Sequence, residues 1–342
     1  MEEPAVTANF DEFRTLLREL PGPDPDSGAR AAAREGELTK PAGSLGRLER
    51  LAAWMAEWQG RYPPKMDRAR VTVFAGNHGI TVHGVSAYPA EVTSQMVQNF
   101  IAGGAAVNQL CQVADAELRV YEMALDHPTQ DFLKGPAMSE EECARAMAYG
   151  MMAVEDGIDL IAVGEMGIGN TTSAAAICLA LYGGRTSDWV GPGTGVRGER
   201  LARKAAVVGE GVARNRSGMA DPLNVLRCVG GLELAAIAGA ILAARMGRVP
   251  VLLDGFVCCA AAAVLHAMEA RALDHCHVAH VSAEPPHLAL IGRLGKEALL
   301  DLGMRLGEAS GAALAINLVR SAVACHTGMT SFREAEVSGR RS

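Results

Sequence analysis

The segment IDLIAVGEMGIGNTTSAAAICLAL carries the strongest local chemical signal in the chain. An apolar run ends in a glycine-rich loop, and the pattern predicts a helix beginning near Thr171 or Thr172. Gly167 and Gly169 can adopt backbone angles that other residues avoid, and they leave room for a ligand against the main chain. The helix amino terminus would present unpaired N–H groups and the positive end of a dipole, which suits a phosphate. Thr171 and Thr172 add hydroxyl donors or a cap. The loop lacks both GxxxxGK[ST] and the third glycine of GxGxxG; alone, it describes a tight turn as well as a phosphate seat. A second loop, VGPGTGV (190–196), precedes Arg203 and Lys204. Two glycine loops and a nearby cation favour phosphate without naming a reaction.

Histidines are the other chemical candidates. DHCHVAH sets His275, Cys276, His277 and His280 close together. On a strand His275 and His277 share one face and His280 points to the other; zinc would also need a fourth convergent ligand. No metal site is expected. His78 in AGNHGI lies just past an apolar run, where it either faces a ligand or orients a loop.

These residues need a scaffold. Short apolar runs at 71–76, 117–123, 158–164, 249–255 and 277–283 read as strands, several ending in Gly, Asp or Ser and followed by helical stretches. That alternation predicts an α/β fold, a mostly parallel sheet flanked by helices, with ligands at the carboxyl ends of the strands. PGPDPDSG (21–28) reads as a loop and 29–35 as a helix. Leu45, Leu48, Leu51, Ala52 and Met55 form one apolar helical face within 45–58, and Pro41, Gly43 and Gly46 separate these two helices. The last long helix is expected at 312–324.

Composition excludes several classes. The 342 residues are 49% hydrophobic and 21% charged, which fits a globular chain with a sizeable core. A net charge of -7 and the lack of a basic stripe argue against nucleic acid. The apolar stretches are too interrupted to span a bilayer. MEEPAVTANFDEF is acidic and has no apolar signal region. The eight cysteines contain no CxxC pair and read as small buried residues of a cytoplasmic protein.

Four segments carry a family resemblance: KPAGSLGRLE, AGNHGI with GVSAYPAEVTSQMV, GEMGIGNTT, and LDLGMRLGEASGAALA. In wording and order they resemble the nicotinate-nucleotide:dimethylbenzimidazole phosphoribosyltransferases, over residues 38–337. The resemblance implies transfer of 5-phosphoribose from nicotinate mononucleotide to 5,6-dimethylbenzimidazole. The products are α-ribazole 5′-phosphate and nicotinate, for the lower-ligand nucleotide of cobalamin. It implies Glu308 as general base, and Glu165, Gly167, Ile168, Gly169, Asn170 and Thr171 as the nucleotide loop. Lys204 falls at the phosphate, Ser282, Arg305, Leu306 and Gly307 at other nucleotide contacts, and Ser86, Tyr88 and Gln95 at the incoming base.

A homodimer without cofactor or metal is implied. Its subunit has a large α/β domain (66–304) and a small helical domain from both chain ends (1–65 and 305–342). Pro192 and Pro286 depart from the family pattern, which commonly has arginine and glycine there. Transfer to another base such as adenine, or a silent nucleotide-binding homologue, are the alternatives. The chemistry suits one base: the pyridinium departs as a neutral ring, an azole nitrogen attacks the opposite face, and a carboxylate takes the azole proton.

Overall fold

The computed structural model describes residues 8–338. The first part of the chain runs α1 (Asp11–Arg18), α2 (Pro25–Glu37), α3 (Arg47–Gln59), β1 (Ala69–Ala75), α4 (Val92–Ile101), α5 (Ala106–Ala114), β2 (Ala116–Glu122) and α6 (Glu140–Met151). Next come β3 (Leu160–Met166), α7 (Asn170–Tyr182), α8 (Glu199–Asn215), α9 (Pro222–Val229), α10 (Leu232–Met246) and β4 (Val251–Leu253). The last part is α11 (Phe256–Met268), β5 (Cys276–His280), α12 (Pro286–Arg293), β6 (Ala298–Leu300) and α13 (Ser310–Gly328).

All strand pairs are parallel, in the order β2-β1-β3-β4-β5-β6. Side chains alternate across the sheet. Phe74, Ile161, Val163, Val251, Leu253 and Val278 pack with α7, α9, α10 and α11 on one face. Val71, Val73, Leu160, Ala162 and Leu252 pack with α3, α5 and α13 on the other. A sheet covered on both faces explains the near-continuous apolar strands. The chain leaves β1 toward β2 on one side and takes β3 on the other, so the strand order reverses there, where α/β sheets open a crevice for ligands.

The expected strands are present with shifted ends. β3 runs to Met166, which puts Glu165 in the strand and not in the loop after it. β6 is a sixth strand that the apolar pattern did not mark, since its three residues are half-buried at the sheet edge. The predicted loop at 21–28 is corrected as well. α2 starts at Pro25, with the Asp24 side chain accepting from Ser27 N (3.0 Å), so Asp-Pro opens a helix here. The break between α2 and α3 falls where Pro41, Gly43 and Gly46 place it. His277 sits edge-on against Trp54 while His280 reaches Asp254 on the opposite face, as the strand period requires. Seven of the eight cysteines are buried and all eight are free thiols. Among the described residues no helix is long and apolar enough to cross a membrane.

α6 and α10 cross almost backbone to backbone. A β-carbon on Gly150 would run into the Ala236 carbonyl, and one on Gly239 into the Met147 carbonyl. Gly239→Ala should therefore lower stability by about 1–3 kcal/mol, because overpacking outweighs the gain in helix propensity. Gly36→Ala in α2, where nothing lies near the added methyl, should instead stabilise by a few tenths to about 1 kcal/mol. Urea midpoints of the two variants check the opposite signs.

Candidate active site

A pocket of about 710 Å³ opens at the carboxyl ends of the strands. Its wall contains Glu165, Met166, Gly167, Ile168, Asn170 and Thr171 from the β3–α7 turn. Gly193 and Thr194 come from the second glycine loop, and Gly255, Phe256 and Val257 from the turn after β4. His280, Ser282 and Glu284 follow from β5, and Arg305 to Glu308 from the segment before α13. Tyr88, from the segment before α4, and Val92 and Met96 on α4 close the apolar side.

The β3–α7 turn uses its two glycines differently. Gly169 caps α7 at φ 95°, a left-handed angle that suits glycine. Gly167 packs so tightly that an added β-carbon would lie 2.7 Å from the Gly76 carbonyl oxygen. Beneath the turn, His78 Nε2 lies 2.5 Å from Glu233 Oε1 and its Nδ1 lies 3.1 Å from Ser173 Oγ. All three side chains are buried, so His78 orients the loop and does not line the pocket.

Glu308 is held by an unusual backbone. Gly307, Glu308 and Ala309 have φ of 83°, 60° and 60°. For non-glycine residues that conformation costs of order 1–3 kcal/mol each and persists only when the surroundings impose it. Here Glu308 N donates to Glu165 O (3.1 Å), Ser310 Oγ to Gly307 O (2.6 Å), and Ala312 N to Asp254 Oδ1 (2.9 Å). Gly164 admits the bend, since a β-carbon there would collide with Ala309. The buried Glu308 carboxyl is pushed up to about 7 by burial and by Asp254. Burial likewise pushes Glu165 up to about 8, against the bond it accepts from Asn170, with Asp254, Glu233 and Glu308 adding to the rise.

The structure brings Glu308, Glu165, Gly167, Ile168, Asn170, Thr171, Ser282, Arg305, Leu306, Gly307 and Tyr88 to one pocket. Four other candidates stand off its wall. Lys204, fully buried on α8, donates to Thr171 Oγ1 (2.8 Å) and Gly191 O (3.0 Å) from behind, and burial pushes it down to about 8 against the charge of Glu284. Gly169 faces Thr81 and His78. Ser86 Oγ lies 2.9 Å from Thr194 Oγ1, tying the Tyr88 segment to the second glycine loop. Gln95 is exposed on α4, next to Met96.

His280, Glu284 and the supporting Asp254 are additions to the candidate set. His280 stood in the histidine cluster, but nothing local pointed it at the pocket. Its pKa is raised: burial depresses it, and the Asp254 carboxylate, 3.5 Å from Nε2, more than compensates. Among the described residues no three His, Cys, Asp or Glu side chains converge as a metal site.

Comparison with known proteins adds an independent finding. Residues 20–337 match a family described as phosphoribosyltransferase. The chain is 58% identical over 331 residues to the nicotinate-nucleotide–dimethylbenzimidazole phosphoribosyltransferase of Brucella canis, covering 96% of this chain and 97% of the relative. The enzyme of that name from Sinorhizobium medicae is 57% identical, with 97% and 98% covered. A crystal structure of the nicotinate-nucleotide–dimethylbenzimidazole phosphoribosyltransferase from Thermus thermophilus matches with a TM-score of 0.85 at 41% identity, over 93% of this chain and 100% of that one.

The buried carboxyl has a measurable cost. Glu308 titrates near 7 in the fold and near the ordinary glutamate value of about 4.3 when unfolded. The folded state therefore holds the proton more tightly, and stability falls as pH rises from about 4.5 to 7, then levels off. Glu308→Gln removes that loss. It should gain roughly 2–3 kcal/mol over the parent at pH 8 and nothing at pH 4, as read from urea denaturation at both pH values.

Proposed function

We propose, since the chain belongs to the nicotinate-nucleotide–dimethylbenzimidazole phosphoribosyltransferase family, that this pocket holds a nucleotide and an azole side by side. The enzyme moves the phosphoribosyl group of nicotinate mononucleotide to dimethylbenzimidazole, a step of cobalamin biosynthesis. The observation that carries the site assignment is the buried Glu308 carboxyl, near neutral pKa, on the pocket wall.

The phosphate sits where Thr171 and the second glycine loop meet, with the Lys204 charge directly behind. The base lies against Tyr88, Val92, Met96 and Ile168, an apolar surface with one aromatic ring. Ser86 acts by holding Thr194, and Gln95 borders this end from outside the wall. α3, which packs against both α2 and α13 and with α13 also lies on the sheet, joins these helices as the small helical domain, and a second copy of the chain closes the pocket mouth.

In the reaction the free azole nitrogen attacks the anomeric carbon on the face opposite nicotinate. The C–N bond to the pyridinium breaks, and its electron pair leaves a neutral pyridine ring. The other azole nitrogen gives its proton to Glu308. Holding both rings in line supplies much of the acceleration, and a base whose pKa lies near the working pH transfers the proton efficiently.

Glu308→Gln should lower kcat by roughly 10²–10⁴ with little change in substrate affinity. In the parent, kcat/KM should rise with pH and level off above about 7, because only the ionised carboxylate accepts the proton. The variant should lose that rising limb. Product identification by mass spectrometry, with benzimidazoles and adenine offered as bases, checks both the reaction and the preferred base; near-normal turnover by the folded variant removes Glu308 as the base.

A further inference from the structure

Glu284, in the turn between β5 and α12, is the third carboxylate on the pocket wall and has no role in the steps above. It is only 5% exposed, and no side chain donates to Oε1 or Oε2; the Gly193 amide faces the carboxyl without closing a well-formed hydrogen bond. The surroundings place the carboxyl deliberately. Glu284 N donates to Ser282 Oγ (3.2 Å), and its carbonyl accepts from His287 N (3.0 Å). A β-carbon on Gly191 would occupy the space of the carboxylate, so glycine is what admits it.

The neighbouring cations are committed elsewhere. Lys204 donates to Thr171 and Gly191, and Arg305 Nη1 to Gly193 O (3.3 Å). They lend charge without satisfying either oxygen. Burial lifts the Glu284 carboxyl above its usual range in spite of Lys204, the Gly193 amide and Arg305.

A buried carboxylate with two unpaired oxygens is costly and is relieved by donors. An ionised carboxylate only accepts, so it repels phosphate and takes O–H or N–H groups. Two oxygens a fixed distance apart match the two hydroxyls of a vicinal cis-diol. Glu284 also lies beside the Gly193–Lys204 corner assigned to phosphate and shares one wall with Glu308. The group between a nucleotide's phosphate and its reacting anomeric carbon is the ribose. We propose that Glu284 accepts the 2′- and 3′-hydroxyls of the nucleotide and makes the enzyme selective for ribonucleotides. The inference rests on the nucleotide reading of the pocket. A site built to bind a hydroxyl rejects the analogue lacking it, because its polar groups are left unpaired.

The test compares nicotinate mononucleotide with its 2′-deoxy and 3′-deoxy analogues by calorimetry and by kcat/KM, on the parent, Glu284→Gln and Glu284→Ala. The parent should favour the ribonucleotide by about 10- to 100-fold. Both variants should lose most of that preference, by binding the ribonucleotide more weakly and the deoxy analogues almost unchanged. Equal loss on all three ligands would make Glu284 a structural counter-charge for Lys204, and an unchanged preference would remove it from the sugar; either overturns the proposal. If the parent fails to bind nicotinate mononucleotide, the functional reading falls first. Ribose 5-phosphate against 2-deoxyribose 5-phosphate then applies the same criterion to Glu284, and binding of neither overturns both.

Discussion

The bend at Gly307–Ala309 against β3 is the constraint on which the site depends. Three successive residues take left-handed angles, and the chain passes so close to β3 that only glycine fits at 164. Two anchors hold it there. One is the amide bond from Glu308 to Glu165 in the strand, and the other is Asp254 capping the first turn of α13. α13 is buried in the core with α3 and α5, so the bend is fixed from both ends. The strain is paid for by that packing, and it leaves a carboxylate fixed in a buried wall.

The same anchors set the electrostatics. Asp254 holds a helix terminus and raises Glu308 at once. Glu165, Glu284 and Glu308 line the pocket, with Asp254 and Glu233 just behind, against Arg305, Lys204 and His280. An acidic lining suits a reaction that moves a positive charge without creating one. The charge begins on the pyridinium, passes through the ribose carbon, and arrives on the azole ring before deprotonation. Those wall carboxyls that are ionised favour every point on that path, Glu165 least because burial pushes it up to about 8, and a water-poor wall strengthens them. Lys204 and Arg305 keep the phosphate corner from sharing this character.

Much of the architecture was legible because its signals are local. Apolar runs alternating with helical periods gave the parallel sheet, and the glycine loop of β3 gave the start of α7 to within a residue or two. The misreadings are also local in origin. Asp24-Pro25 carries the composition of a turn and the geometry of a helix start. β6 is three half-buried residues, too few for a period. The proline departures turn out compatible with their positions. Pro286 is the first residue of α12, where a missing N–H leaves no bond unmade. Pro192 supplies a carbonyl to Gly195 N and Val196 N in a tight turn.

What stayed hidden depends on pairings distant in sequence. Glu308 reads as an ordinary helix-flanking carboxylate until Asp254, 54 residues earlier, and Glu165 are brought beside it. His280 lay in a cluster that suggests metal chemistry, and only the strand period turns it away from His277 and toward Asp254. Glu284 is subtler still, because its signal is an unmet need. A carboxylate within SAEPPH looks like a surface turn residue. It gains meaning only when burial is known and neither oxygen is found to accept a well-formed hydrogen bond. Motifs report groups placed to interact with their own neighbourhood in the chain. A side chain left unpaired by the fold, on the wall of a pocket, reports the ligand, and only the folded arrangement can show it.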